Sequence, residues 1–246
     1  MSHYDGFARE YDEAVARHSP VIECAYEYIL DQLKEVSGHQ VCDVGCGQGE
    51  LARRLARAGA RVTGVDLSGE LLNLARTRSS TQTIEWVHDD AQSLRALPDN
   101  RFDIAVANLM LMDTPEFQKV FEAVYRILVP GGQFIWTVTH PCFQSPHSAT
   151  AADHSGAMRQ RIITAYDEQW WKSDGHGTIR GTLGAYHRPI AVYLNAFIAS
   201  GFRLSHLAEP TAGADAPDTP DRDQTIHSIL PPVLGVVGVK ACLTPN

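Results

Sequence analysis

Short apolar runs alternate with helix-like stretches along the first half of the chain. The runs at residues 41–44, 61–65, 84–88, 102–108 and 133–138 read as strands, and residues 50–58, between the first two, read as a helix. Ahead of them, residues 4–15 set Tyr4, Phe7, Ala8, Tyr11 and Val15 at helical spacing, which predicts an amphipathic segment leading into the main fold. The alternation stops over residues 140–186, a stretch rich in His, Ser, Gly and Trp. A gap that long inside a compact domain carries function or its own structure. The pattern resumes with an apolar helix at 190–200, opened by Pro189 in its first turn. It ends in two strands at 202–207 and 233–243, separated by an acidic, proline-containing loop at 209–223. Strands alternating with helices predict an α/β class.

The first joint between strand and helix carries the chemistry. Val41-Cys42-Asp43-Val44 runs into Gly45-Cys46-Gly47-Gln48-Gly49, and the helix begins at Glu50. Glycines at alternate positions let the backbone turn sharply and let a ligand approach closer than a Cβ would permit. The next strand ends in Asp66, placed to accept hydrogen bonds from two ribose hydroxyls. A nucleoside site is predicted. A dinucleotide fingerprint would place its last glycine where Glu50 stands, with a pyrophosphate at the helix N-terminus. Asp43, two residues before Gly45, would repel a phosphate but suits an ammonium group. The ligand that fits is a cationic, phosphate-free nucleoside.

Asp43-x-Gly45-x-Gly47-x-Gly49 with Asp66 downstream resembles motif I and its acidic partner in class I S-adenosylmethionine-dependent methyltransferases. The resemblance is close over residues 39–135 and loose elsewhere, and it is reinforced by Asp89-Asp90-Ala91 after the third run and Leu128-Val129-Pro130-Gly131-Gly132 before the fifth. It implies a seven-stranded, mostly parallel, doubly wound Rossmann-like sheet of order 3-2-1-4-5-7-6, with strand 7 antiparallel. It also implies S-adenosyl-L-methionine as cofactor and S-adenosyl-L-homocysteine as product. Cofactor contacts carried over are Asp43, Gly45, Gly47, Gly49, Asp66 with Leu67, Asp90 with Ala91 (the acid meeting the adenine amino group), and Asn108. In small-molecule members a leading helix with a Tyr-Asp pair covers the cofactor; here the pair is Tyr11-Asp12. The expected organisation is a single domain over 1–246, a helical cover over 1–36 and a cap over 140–186 that contacts the acceptor.

Composition narrows the partners. At 246 residues and 44% hydrophobic, the chain can bury the core of one such domain. Twenty-nine acids against 21 bases give a formal charge of −8, which repels nucleic acid unless a basic face exists. Arg53, Arg54, Arg57 and Arg61 cluster after the glycine loop, and helical spacing makes them a solvated outer face. Five scattered cysteines without metal spacing read as reduced thiols. Neither a membrane span nor a signal-type amino end is present, so the expected location is the cytoplasm, as monomer or homodimer.

Transfer of a methyl group from a sulfonium is an in-line displacement, so alignment and exclusion of water supply most of the catalysis. A base is needed where the acceptor arrives protonated, and histidine suits that task. His140 directly follows the fifth strand and His187 precedes the helix at Pro189; both are candidate catalytic residues. Arg188 beside that helix start, with Tyr186, favours an anionic acceptor, and Trp170 with Trp171 offers a flat wall for an aromatic one. Histidines 140, 147, 154, 176 and 187 lack tight ligand spacing, so no metal is expected. Amide- and amine-directed relatives carry an Asn/Asp-Pro-Pro-aromatic motif after the fourth strand; Asn108-Leu109-Met110-Leu111 has no proline, which points to a small-molecule acceptor. The competing readings are an enzyme that keeps the cofactor but cyclises or rearranges instead of methylating, and a non-catalytic cofactor-binding partner.

Overall fold

The computed structural model describes residues 4–16, 19–79, 83–152, 159–173, 179–211 and 229–242. In chain order its elements are α1 (Ala8–Ala16), α2 (Pro20–Gln32), β1 (Gln40–Val44), α3 (Glu50–Arg57), β2 (Arg61–Asp66), α4 (Gly69–Arg78), β3 (Ile84–His88) and β4 (Phe102–Asn108). There follow α5 (Phe117–Ile127), β5 (Leu128–Thr139), β6 (Ala149–Ala152), β7 (Arg159–Ile162), β8 (Gln169–Trp171), α6 (Ile179–Leu183), β9 (Ala185–His187), α7 (Ile190–Ala199), β10 (Phe202–Ala208) and β11 (Val233–Lys240).

Seven strands form one sheet in the order β10-β11-β5-β4-β1-β2-β3. Only β11 runs antiparallel, between β5 and β10, so the sheet has the expected order 3-2-1-4-5-7-6. Alternate residues of the central strands face opposite layers, as strand geometry requires. Cys42, Val44, Ala105, Ala107, Phe134 and Trp136 pack with α5 and α7, whereas Val41, Val62, Ile104, Val106 and Ile135 pack with α2 and α3. The strand order reverses between β1 and β4, which places a ligand crevice beyond their carboxyl ends.

Several local expectations shift. The leading helix starts at Ala8, and Tyr4 to Phe7 form a turn closed by Phe7 N–H to Tyr4 O. In the second helix, α2, Cys24, Ala25, Tyr28 and Ile29 are buried under the sheet, Cys24 and Ala25 pack with Val233 and Leu109, and Tyr28 fills the space left by Gly235. The fifth strand begins at Leu128, five residues early, and takes in Pro130-Gly131-Gly132 through a register shift against β4. Arg53 is not solvated: it is 6% exposed and donates to Gln48 O, Gln48 Oε1 and Glu50. Arg54 is bidentate on Glu23, which leaves Arg57 and Arg61 outermost. Within 140–186, β6 pairs with β7 and β8 with β9. His154 and His176 lie outside the described residues, as does most of the acidic loop.

Candidate active site at the carboxyl edge of the sheet

The glycine loop turns its N–H groups onto the neighbouring strand end. Gly45 and Cys46 donate to Val65 O at 2.8 and 3.0 Å, and Gly47 donates to Asp66 Oδ2 at 2.8 Å. Asp66 Oδ1 accepts from Ser68 N–H at 2.8 Å, so the ribose candidate also fixes the loop and the start of α4. At Gly47 the φ of +56° favours glycine, and the ring of Tyr11 lies 3.4 Å from where a Cβ would stand, an ordinary contact. Gly49 has a φ of +82°, and a Cβ there would stand 2.4 Å from Trp86.

Asp43 is 1% exposed and faces the start of α3, where it accepts from Ala52 N–H; its Oδ2 has no hydrogen-bond partner. Burial, and then the charge of Asp66, push its pKa up to about 7. A buried carboxylate oxygen without a partner is costly unless something polar or cationic reaches it. Asp66 is raised too, chiefly by burial. Leu67 beside it remains 42% exposed, an apolar surface open at the same edge. Asp90 accepts from the backbone and side-chain amides of Gln92, and Ala91 packs on the main core. Asn108 is held by Thr137 Oγ1 at 2.8 Å, next to Leu109 with a φ of +51°.

The leading segment closes over this edge. Tyr11 lies on Gly47 and meets Tyr4 edge to face at 5.3 Å, and Tyr4 Oη donates to Asp113 Oδ2 at 2.8 Å. Asp5 accepts from Ser68 Oγ, Gly6 N–H donates to Glu70, and Asp12 forms a two-pronged ion pair with Arg78 of α4. Asp113 sits in the short 3-10 turn Leu111–Asp113 after β4. Burial raises its pKa to about 6 against the opposing Tyr4 hydrogen bond and Arg180 charge.

Both expected histidine bases are otherwise engaged. His140 Nδ1 accepts from Cys142 N–H at 3.2 Å and Nε2 meets Glu209 Oε1 at 2.8 Å; burial lowers its pKa. It braces the turn at Pro141. His187 has Nδ1 at 2.9 Å from Asp167 O and Nε2 at 3.0 Å from Pro141 O. Neither ring offers a free nitrogen to an acceptor. Arg188 departs from expectation as well: Nη1 donates to Leu111 O, Nη2 to Thr114 O and Pro115 O, and Nε to Glu168, while Phe117 and Tyr186 sandwich the guanidinium. It clamps the turn that presents Asp113. The two tryptophans do not make one wall, because successive strand residues point to opposite faces. Trp170 is 53% exposed and lies on Gly184, whereas Trp171 lines a narrow cleft with Thr139, Arg180, Tyr186 and Tyr193.

Sequence reasoning passed over Asp113 and Arg180 as site residues and met Tyr4 only as part of an apolar stripe. Asp113 lies in the turn just beyond the carboxyl end of the fourth strand, and that position at the site edge was the available signal. No such signal existed for Arg180, which a partly irregular segment brings in. A larger hollow of about 440 Å³ around His39, Asp103 and Gly131 lies at the amino ends of the strands, the wrong edge for a ligand in an open sheet. Among the described residues no cluster of His, Cys, Asp and Glu could hold a metal, and no helix is long and apolar enough to cross a membrane.

Residues 42–136 match the family described as a methyltransferase domain. The chain is 30% identical to an S-adenosylmethionine-dependent methyltransferase of known structure from Mesorhizobium loti, covering 88% of this chain and 97% of that one with a TM-score of 0.75. It is 33% identical over 118 residues to a ubiquinone biosynthesis O-methyltransferase from Aromatoleum aromaticum, covering 47% of this chain and 50% of that protein. A fatty-acid O-methyltransferase from Mycolicibacterium smegmatis is 39% identical over 115 residues, 46% of this chain and 41% of that protein. The chain thus spans about half the length of the curated relatives it matches.

Proposed function

Because the chain belongs to the class I S-adenosylmethionine-dependent methyltransferases, we propose that it transfers the methyl group of S-adenosylmethionine to an oxygen, nitrogen or carbon atom of a small molecule held between the glycine loop and the segment 140–186. The observation that carries this reading is the buried, unpartnered Oδ2 of Asp43 beside a loop that only glycine permits. That atom suits the cofactor's ammonium group, and the Gly47 backbone suits close approach of its chain. When bound, the cofactor supplies an electrophilic methyl group on a positively charged sulfur.

In this reading Asp66 takes the ribose hydroxyls, Leu67 offers apolar contact and Asp90 faces the adenine amino group. Tyr4 and Tyr11 exclude water. Asp113 takes the role first expected of His140: a carboxyl with a pKa near 6 is ionised at neutral pH and still basic enough to receive a proton from the acceptor. The acidic balance of −8 and five free cysteines support a cytoplasmic enzyme of small molecules, acting without nucleic acid or membrane.

Purified protein incubated with methyl-labelled S-adenosylmethionine and a small-molecule extract should yield a labelled metabolite and matching S-adenosylhomocysteine. Release of methylthioadenosine, or bound but unconsumed cofactor, would replace this reading with a cyclase or a binding protein respectively. Asp66→Ala should weaken cofactor binding at least tenfold, roughly the loss of one charge-assisted contact. Calorimetry giving wild-type affinity would remove Asp66 from the site.

A further inference from the structure

Two arginines line the narrow cleft beside Asp113, and they differ in how fully they are used. A guanidinium has five N–H donors. Arg188 spends its donors on three backbone carbonyls and Glu168. Arg180 makes one strong bond, Nη2 to Thr139 Oγ1 at 2.7 Å, and one weak bond, Nη1 to Gln144 O at 3.4 Å. It lies over the Trp171 ring at 5.3 Å, and among the described residues no carboxylate is in salt-bridge contact with it. A desolvated cation with unused donors is costly, and natural sites resolve that cost by pairing.

We infer that Arg180 is the recognition point for a monoanionic carboxylate on the methyl acceptor, with Thr139 and the Trp171 ring beside it and the rest of the acceptor outside this narrow cleft. This inference rests on the methyl-transfer reading and supplies its substrate class. The space left against these residues is about 10 Å³, the size of one water and hence of one carboxylate oxygen. The fork of a guanidinium matches a carboxylate. A dianionic phosphate is disfavoured, because Asp113 and Asp66 already contribute negative field here. Burial pulls the guanidinium below its ordinary pKa while Asp113, Tyr193 and Tyr4 pull it back, which agrees with a cation that lacks a contact partner. Asp113 acts on it only at a distance, since among the described residues no ion pair joins the two. The anchoring cation thus lies within electrostatic reach of the proposed proton acceptor, Asp113.

The test is calorimetry on the full chain, alone and saturated with S-adenosylhomocysteine. Hydroxybenzoates and hydroxycinnamates are compared with their neutral primary amides, and inorganic phosphate is the control oxyanion. The acids should bind at least tenfold more tightly than the amides and than phosphate. Arg180→Gln should erase that preference, and Arg180→Lys should retain part of it, both with S-adenosylhomocysteine affinity kept. Equal binding of acids and amides, no binding of either, phosphate matching the acids, or an unchanged preference in Arg180→Gln overturns the inference. Should the glutamine variant fail to fold, the wild-type comparison and the lysine variant decide. Failure of S-adenosylhomocysteine to bind would sink the methyl-transfer reading, and with it the acceptor role inferred for Arg180. Bound S-adenosylhomocysteine without acid preference would sink this inference alone.

Discussion

Asp43→Asn is expected to stabilise the ligand-free protein at pH 8 by about 1–3 kcal/mol and to weaken S-adenosylmethionine binding about ten- to a hundredfold. The two effects share one cause. The folded pKa of Asp43 is raised to about 7 from an ordinary 3.8, so the folded state holds a proton that the unfolded chain releases. Its stabilising contribution is complete below about pH 4 and is lost as pH rises through about 7. A rise of that size corresponds to about 4 kcal/mol. Asparagine never acquires the charge, but its amide nitrogen inherits the empty environment of Oδ2, which returns about 1–3 kcal/mol. Binding runs the other way, because the ammonium group needs the carboxylate ionised: wild-type affinity should strengthen as pH rises through about 7, and the variant should show a flat profile. Thermal unfolding at pH 5 and pH 8 with calorimetric affinities at both checks this. A variant no more stable at pH 8, with unchanged affinity, would mean that the buried charge and the cofactor contact are both misassigned.

The second large effect belongs to Gly49. Gly49→Ala forces a side chain into the left-handed region at a φ of +82° and drives its Cβ to 2.4 Å from Trp86, with Ala75 at 3.1 Å on the other side. The backbone strain is about 1–2 kcal/mol and the overpacking adds about 1–3 kcal/mol. Chemical denaturation should therefore show a loss of about 2–5 kcal/mol. Gly47→Ala is the informative control, since its Cβ would sit at ordinary contact distance from Tyr11. It should cost only the backbone strain while blocking the cofactor. Equal stability losses in the two variants would contradict the packing argument.

The central sheet was legible in the sequence because its strands are buried on both faces and read as apolar runs bounded by glycine, proline and acids. The proximity of the glycine loop to Asp66 was legible for a related reason: the loop and the acid at the next strand tip lie close together along the chain. The acceptor side was not. His140, His187 and Arg188 sit where site residues belong, yet their polar atoms are used by Glu209, by backbone carbonyls and by the turn at Asp113. Position along a sequence does not show whether a donor is already spent. Arg53 teaches the same lesson, since helical spacing makes it look outward while Gln48 and Glu50 draw it in. Trp170 and Trp171 were paired by adjacency, whereas strand geometry separates adjacent residues.

The closed leading segment bears on traffic through the site. Tyr11 stands on the glycine loop, Tyr4 on the acceptor-side carboxyl, and the two rings touch across a single turn and helix. Any opening that uncovers Gly47 also frees Asp113 and lets solvent reach both. Under the proposed methyl-transfer reading, nucleoside and acceptor share one doorway, so neither is exchanged while the other stays sealed in. The latch that governs this doorway is electrostatic and partly exposed at Arg78. Added salt should loosen it, quickening product release before it touches the chemical step.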